Sequence, residues 1–168
     1  DGGPRKLSRK SHATSSNLLT QAFGARCQGN RYTTTLHVIN SSIVKLGKLM
    51  TAEKVYRGIA GKVLPNEFWQ FNEFKVRGGV EFGFMSTTLN GEVAMDYAAG
   101  GGAGIIFEIQ QGMVDRGADL SWLSQYPHEK EILFAPLTAL EAQTTRVQGS
   151  APAARVRLSV NPPRPDAR

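Results

Sequence analysis

The sequence is poor in the residues that staple or metallate small domains: its 168 residues include one cysteine, Cys27, and three histidines. A lone thiol closes no internal disulfide and builds no multi-thiolate metal site, which excludes a stapled secreted mini-domain. It leans toward a cytoplasmic setting without fixing one. Long apolar runs are missing as well. A membrane-crossing helix needs roughly 20 apolar residues, and the longest uncharged neighbourhood near the middle, Tyr97 to Phe107, is diluted by four glycines. No membrane span is expected. The chain starts at Asp1 with neither an initiator methionine nor an apolar leader, and is expected to be a segment of a longer protein.

What the chain does carry is a basic excess, a formal net charge of +6. Residues 1–12 hold +3 of it and residues 151–168 the other +3, while the twelve basic and twelve acidic side chains of 13–150 cancel. A neutral body argues against a nucleic-acid-binding domain, and basic ends read as solvated tails. Residues 1–14, rich in Gly, Ser, Lys and Arg, read as a disordered basic segment. Residues 161–168 read as a Pro/Arg tail, because Asn161-Pro162-Pro163-Arg164-Pro165 continues neither a strand nor a helix. Residues 15–160 remain as one domain, long enough to bury a core.

Within that domain two helical patterns precede a run of strands. Ser15 and Ser16 cap a short helix over Leu18, Leu19 and Phe23 that stops near Gly24. A longer helix begins near Thr33 or Thr34, with Leu36, Ile39, Ile43, Leu46 and Met50 along one face. The pattern then changes. Strands are expected at Lys54–Ile59, Val80–Thr87, Gly104–Ile109, Glu131–Phe134, 138–147 and 153–160. Short helices are expected over Pro65–Phe74 and over Gly91–Ala99, the latter capped by Asn90. Helices first and strands later indicate an α+β domain rather than a doubly wound sheet.

Most of the candidate chemistry falls away on inspection. His12, His37 and His128 are too scattered for a metal site. His128-Glu129 opens like a zinc-protease motif, but the fifth position is Ile132. The cluster Gly100-Gly101-Gly102-Ala103-Gly104 follows a helix and precedes a strand, the reverse of a dinucleotide fingerprint, and reads as a flexible turn. Cys27 reads as a small core or surface residue rather than a nucleophile. The informative segment is Tyr126-Pro127-His128-Glu129-Lys130-Glu131, running into the apolar Ile132-Leu133-Phe134. Two glutamates at i and i+2 entering a strand share a face, so both carboxylates point into one space, with Lys130 turned to solvent. Its company is Tyr56-Arg57-Gly58 on one strand and Ser86-Thr87-Thr88 on another.

This combination resembles the arginine-specific mono-ADP-ribosyltransferases, the branch defined by an Arg, Ser, Glu triad and shared by clostridial binary toxins and animal ecto-enzymes. The order and spacing match over roughly residues 15–160. The family pattern reads Ser-Thr-Ser, and here Thr88 replaces the last serine; the single cysteine sets the chain apart from the disulfide-bonded ecto-enzymes and toward toxin-like members. The resemblance implies two packed, roughly perpendicular β-sheets with N-terminal helices, and NAD in the cleft between them as substrate, with no metal. It implies that Arg57 grips the pyrophosphate, a role its fork of charged donors suits, and that the backbone of Gly58 meets the nicotinamide carboxamide. Ser86 and Thr88 would hold a carboxylate or the ribose. Glu131 would be the catalytic carboxylate at the ribose 2′-hydroxyl, where positive charge develops on bond cleavage. Glu129 would relieve the acceptor arginine of its proton, and Tyr126 would offer that guanidinium a flat face. The partner expected is a target protein with an exposed arginine, and the chain is expected to act as a monomer. Rival readings are an NAD glycohydrolase, in which Glu129 matters little, and an inactive binding module, against which the intact Arg57, Ser86, Glu129 and Glu131 argue.

Overall fold

The computed structural model describes residues 24–61, 63–100, 104–147 and 153–160. The expected basic segment 1–14, the helix start at Ser15 and Ser16, and the Pro/Arg tail 161–168 lie outside the described residues. Two compact units divide after His37. In the first, residues 24–27 are helical, so the helical backbone there passes the stop expected near Gly24 and reaches Cys27. It ends where Gln28 (φ 50°) and Gly29 (φ 78°) turn left-handed. Such a turn stops a helix whatever glycine lies inside it. Cys27 is free and half-buried.

The elements in chain order are α1 (Thr33–Gly47), β1 (Lys54–Ala60), β2 (Gly78–Glu81), β3 (Met85–Thr88), α2 (Gly91–Ala99), β4 (Gly104–Gln110), β5 (Ala118–Asp119), β6 (Glu131–Phe134), β7 (Thr138–Val147) and β8 (Ala153–Val160). Along the expected apolar face of α1, Ile43 is buried while Leu36 and Ile39 are exposed. Among the described residues no helix is long and apolar enough to cross a membrane.

The strands follow the order β2-β7-β8-β4-β1-β3-β6-β5. Pairing is antiparallel except between β4 and β8. One pair alone, Tyr56 with Thr88, links β1 to β3. The ladder therefore behaves as two leaves, β2-β7-β8-β4-β1 and β3-β6-β5, hinged at that pair. Val55, Phe107, Ile109, Leu140 and Val160 of the larger leaf share one core with Met85, Ile132 and Phe134 of the smaller. This is the α+β, two-sheet architecture expected from the sequence.

Strand β4 explains its own composition. Ile105, Phe107 and Ile109 face that core, while Ile106 packs under Ala94 and Ala98 of α2 on the other side. A strand covered on both faces reads as an unbroken apolar run rather than an alternating one.

Two expected elements come out differently. The strand expected at Val80–Thr87 is two strands, β2 paired with β7 and β3 paired with β6. One continuous strand cannot serve both leaves, so Phe82-Gly83-Phe84 crosses between them. The helix expected over Pro65–Phe74 is a single 3-10 turn, Asn66–Trp69. Beyond it the Asn72 side chain accepts from the Phe74 and Val76 amides at 2.9 and 3.0 Å, a local turn that competes with helix.

Helix α2 sits close on β1 and β4 because glycine lies beneath it. A Cβ on Gly58 would fall 1.9 Å from the Ala94 carbonyl oxygen, and one on Gly104 would fall 2.2 Å from that of Ala98. Gly58→Ala must therefore push backbone against backbone. We expect it to destabilise the domain by about 1–3 kcal/mol, read as a lower midpoint in urea unfolding. An unchanged midpoint would mean that α2 is free to lift.

Candidate active site

The hinge pair and the foot of α2 open a cleft of about 250 Å³. Tyr56, Arg57 and Gly58 of β1, Ser86, Thr87 and Thr88 of β3, Val93, Ala94 and Tyr97 of α2, and Glu129 and Glu131 line it. Six of the seven site residues expected from the sequence are thus brought together. Tyr126 is not among the lining residues; it is 53% exposed, with its ring edge-on to His128 at 6.1 Å.

The Ser-Thr-Thr of β3 is stitched to the segment that carries the glutamates. Ser86 Oγ donates to Glu131 Oε1 at 2.6 Å. Thr87 Oγ1 donates to the Ile132 carbonyl at 2.6 Å, and Thr88 Oγ1 donates to the Glu129 carbonyl. Thr88 also accepts from the Asn90 amide at 2.9 Å. Thr88 departs from the expected role in one respect: its hydroxyl proton is committed to the main chain, so it shapes the cleft through the scaffold.

The two carboxylates share the cleft, though not by strand alternation. Only Glu131 is on β6; Glu129 ends a 3-10 turn, Pro127–Glu129, and Lys130 between them is left-handed at φ 48°. Proline at the first helical position presets that turn. The left-handed residue then reverses the chain, so both carboxylates face inward while Lys130 stays exposed, as expected.

Arg57 meets Glu81, at the end of β2, with Nη2 3.5 Å from Oε2. Both side chains are about one-third exposed, and pairs of this kind contribute about 0–1 kcal/mol. Its Nη1 is buried and has no hydrogen-bond partner among the described residues. A buried guanidinium N–H without a partner is costly. The arrangement suits an anionic ligand, which would satisfy Nη1 and readily take the place of Glu81.

Two residues here escaped the sequence reading. Glu81 becomes visible only once β2 and β3 are separate strands. Tyr97 passed as an apolar helix position, yet its hydroxyl donates to Glu129 Oε1 at 3.0 Å. The available signal was its spacing: Val93 and Tyr97, four apart, face the cleft, beside the buried pair Ala94 and Ala98.

The family model for NAD:arginine ADP-ribosyltransferases matches residues 11–160. The chain belongs to that family. No curated protein sequence matches it. Among solved structures this ADP-ribosyltransferase family member resembles HopU1 of Pseudomonas syringae pv. Tomato DC3000 (26% identity, TM-score 0.61, 76% of this chain and 54% of that one). It also resembles Vis, from Vibrio splendidus, in complex with agmatine (20% identity, TM-score 0.58, 80% of this chain and 60% of that one). A third likeness is to exoenzyme S from Pseudomonas aeruginosa, bound to carba-NAD and human 14-3-3 protein beta (25% identity, TM-score 0.55, 84% and 67%). The chain thus spans about half the length of HopU1 and about 60% of that of Vis, and the likeness to Vis is one of fold.

The Tyr97 hydroxyl is held above the usual tyrosine value of about 10. Its hydrogen bond to Glu129 is the main cause, followed by the Glu129 charge, partial desolvation, and the charges of Glu131 and Tyr126. In alkaline titration followed by phenolate absorbance, the component lost in Tyr97→Phe is expected above pH 10. It should move down toward the ordinary value when Glu129→Gln removes the carboxylate. A component insensitive to Glu129→Gln would deny the contact.

Proposed function

We propose that residues 15–160 are the catalytic domain of an enzyme that cleaves NAD and transfers ADP-ribose to an arginine side chain of a target protein, releasing nicotinamide. The observation that carries this reading is the Ser86–Glu131 hydrogen bond in a cleft shared by Arg57 and Glu129. The family description names NAD and arginine. The carba-NAD on exoenzyme S and the agmatine on Vis are in keeping with both halves of the reaction.

Each half meets a different part of the cleft. The unpartnered Nη1 of Arg57 suits a phosphate oxygen of the dinucleotide. Cleavage of the bond between nicotinamide nitrogen and ribose C1′ sends both electrons to nitrogen, so nicotinamide leaves neutral and positive charge develops at C1′. Glu131, fixed by Ser86, would stabilise that charge and accept from the 2′-hydroxyl. An arginine guanidinium is protonated at any ordinary pH and is not nucleophilic as it stands. Glu129 would accept the proton that leaves as a guanidinium nitrogen bonds to C1′.

Arg57→Ala should weaken NAD binding by about 10- to 150-fold, the equivalent of a charge-assisted contact of about 1.5–3 kcal/mol. Calorimetry showing unchanged affinity would remove Arg57 from the site.

The reaction itself is tested with labelled NAD and agmatine, reading label on agmatine and free ADP-ribose in one tube. Glu131→Gln should lower nicotinamide release by about 10²–10³-fold with the fold intact. Glu129→Gln should abolish transfer while NAD hydrolysis persists, because an amide accepts no proton and water needs no such help. A joint fall of both products in Glu129→Gln would place that residue in the NAD half-reaction. Wild-type protein that hydrolyses NAD but never labels agmatine or protein arginine would be a glycohydrolase.

A further inference from the structure

We propose that Tyr97 is the positioning residue of the acceptor half-reaction: its phenol hydroxyl holds Glu129 Oε1 so that Oε2 is presented to the incoming guanidinium. This rests on the assignment of Glu129 as the acceptor base and extends it.

Glu129 needs such a hold. Its main chain is fixed by the 3-10 turn and by Thr88, but three side-chain torsions lie between that backbone and the carboxylate. Ordering a glutamate side chain at the moment of reaction costs entropy, and a prior hydrogen bond removes that cost from the reacting step. Tyr97 supplies the bond from a second element at 3.0 Å. A phenol is well suited to the reach, since it places a donor far from the backbone with two torsions.

The element that carries it is fixed in turn. Ala94 and Ala98 of α2 bed on Gly58 and Gly104, where no side chain fits between helix and strand. One turn apart on the neighbouring face, Val93 and Tyr97 look into the cleft. The two glutamates are thus held in parallel fashion, Glu131 by the hydroxyl of Ser86 from β3 and Glu129 by the hydroxyl of Tyr97 from α2.

The chemistry of the donor also fits. A lysine or arginine in this place would neutralise Glu129 and compete with the acceptor for it. A neutral hydroxyl orients the carboxylate and leaves its charge to pair with a guanidinium. Loss of the phenol proton is opposed by the Glu129 and Glu131 charges, so the donor persists across the ordinary pH range.

The test is Tyr97→Phe, which keeps the ring in the cleft and removes the hydroxyl. Wild type and variant are incubated with labelled NAD over a range of agmatine concentrations, following agmatine label and free ADP-ribose together. The ratio of transferred to hydrolysed ADP-ribose is expected to fall about tenfold or more, the scale of one hydrogen bond to a charged group, with the loss appearing in kcat/KM for agmatine. A residue that only supports the fold would lower both products in proportion. An unchanged ratio in a wild-type background that does label agmatine would overturn the Tyr97 assignment and leave the transferase reading standing. Wild-type protein that hydrolyses NAD and labels no agmatine would overturn both.

Discussion

The structure depends on the joining of β3 to β6 through three successive hydroxyls. The backbone pairs place Ser86 opposite Leu133 and Thr88 opposite Glu131. The side chains of Ser86, Thr87 and Thr88 then add bonds to Glu131, Ile132 and Glu129 in turn. Only the first of these reaches a carboxylate. The other two hold main chain, and so determine where the carboxylates stand. A one-residue slip would turn Ser86 and Glu131 to opposite faces, and the buried Thr87 and Ile132 tie the register against such a slip from inside the core.

Much of this was legible in the sequence because it is local. β6, β7, β8 and α2 fall at the residues expected, since each has its own period and, for α2, the Asn90 cap, whose side chain accepts from the Glu92 amide at 2.9 Å. The grouping of Arg57, Ser86, Glu129 and Glu131 was legible too, through the order of three short motifs. What stayed hidden is what depends on pairing across the chain. Nothing in Val80–Thr87 says that its two halves belong to different leaves. Glu81 comes near Arg57 only because of that crossover. Tyr97 counts as apolar in any helical period, and its hydroxyl gains a partner only when the Glu129 turn is brought alongside.

The cleft brings charge of both signs together. Arg57 offers a cation with a buried, unpartnered N–H, while Glu129 and Glu131 offer two carboxylates. Each carboxylate accepts from a neutral hydroxyl, Glu131 from Ser86 and Glu129 from Tyr97, which orients it without cancelling its charge. Glu81 belongs to the same balance. Its partly exposed pairing with Arg57 gives the guanidinium a companion weak enough to be exchanged for phosphate.

Thr88 shows why the departure from Ser-Thr-Ser fits this chain. It is the residue at which the two leaves meet, paired with Tyr56 of β1 on one side and with Glu131 of β6 on the other. A hydroxyl there must bridge the Glu129 carbonyl and the Asn90 amide, which either serine or threonine can do. Threonine adds a methyl, and the position is buried at 7% exposure, so the methyl leaves water rather than entering it. Branching at Cβ also restricts the rotamer that makes the two bonds and favours the strand at its end. Since the hydroxyl serves the scaffold, the extra methyl acts on the hinge and on the Glu129 turn, while Ser86, exposed and bonded to Glu131, keeps the smaller side chain at the open side of the cleft.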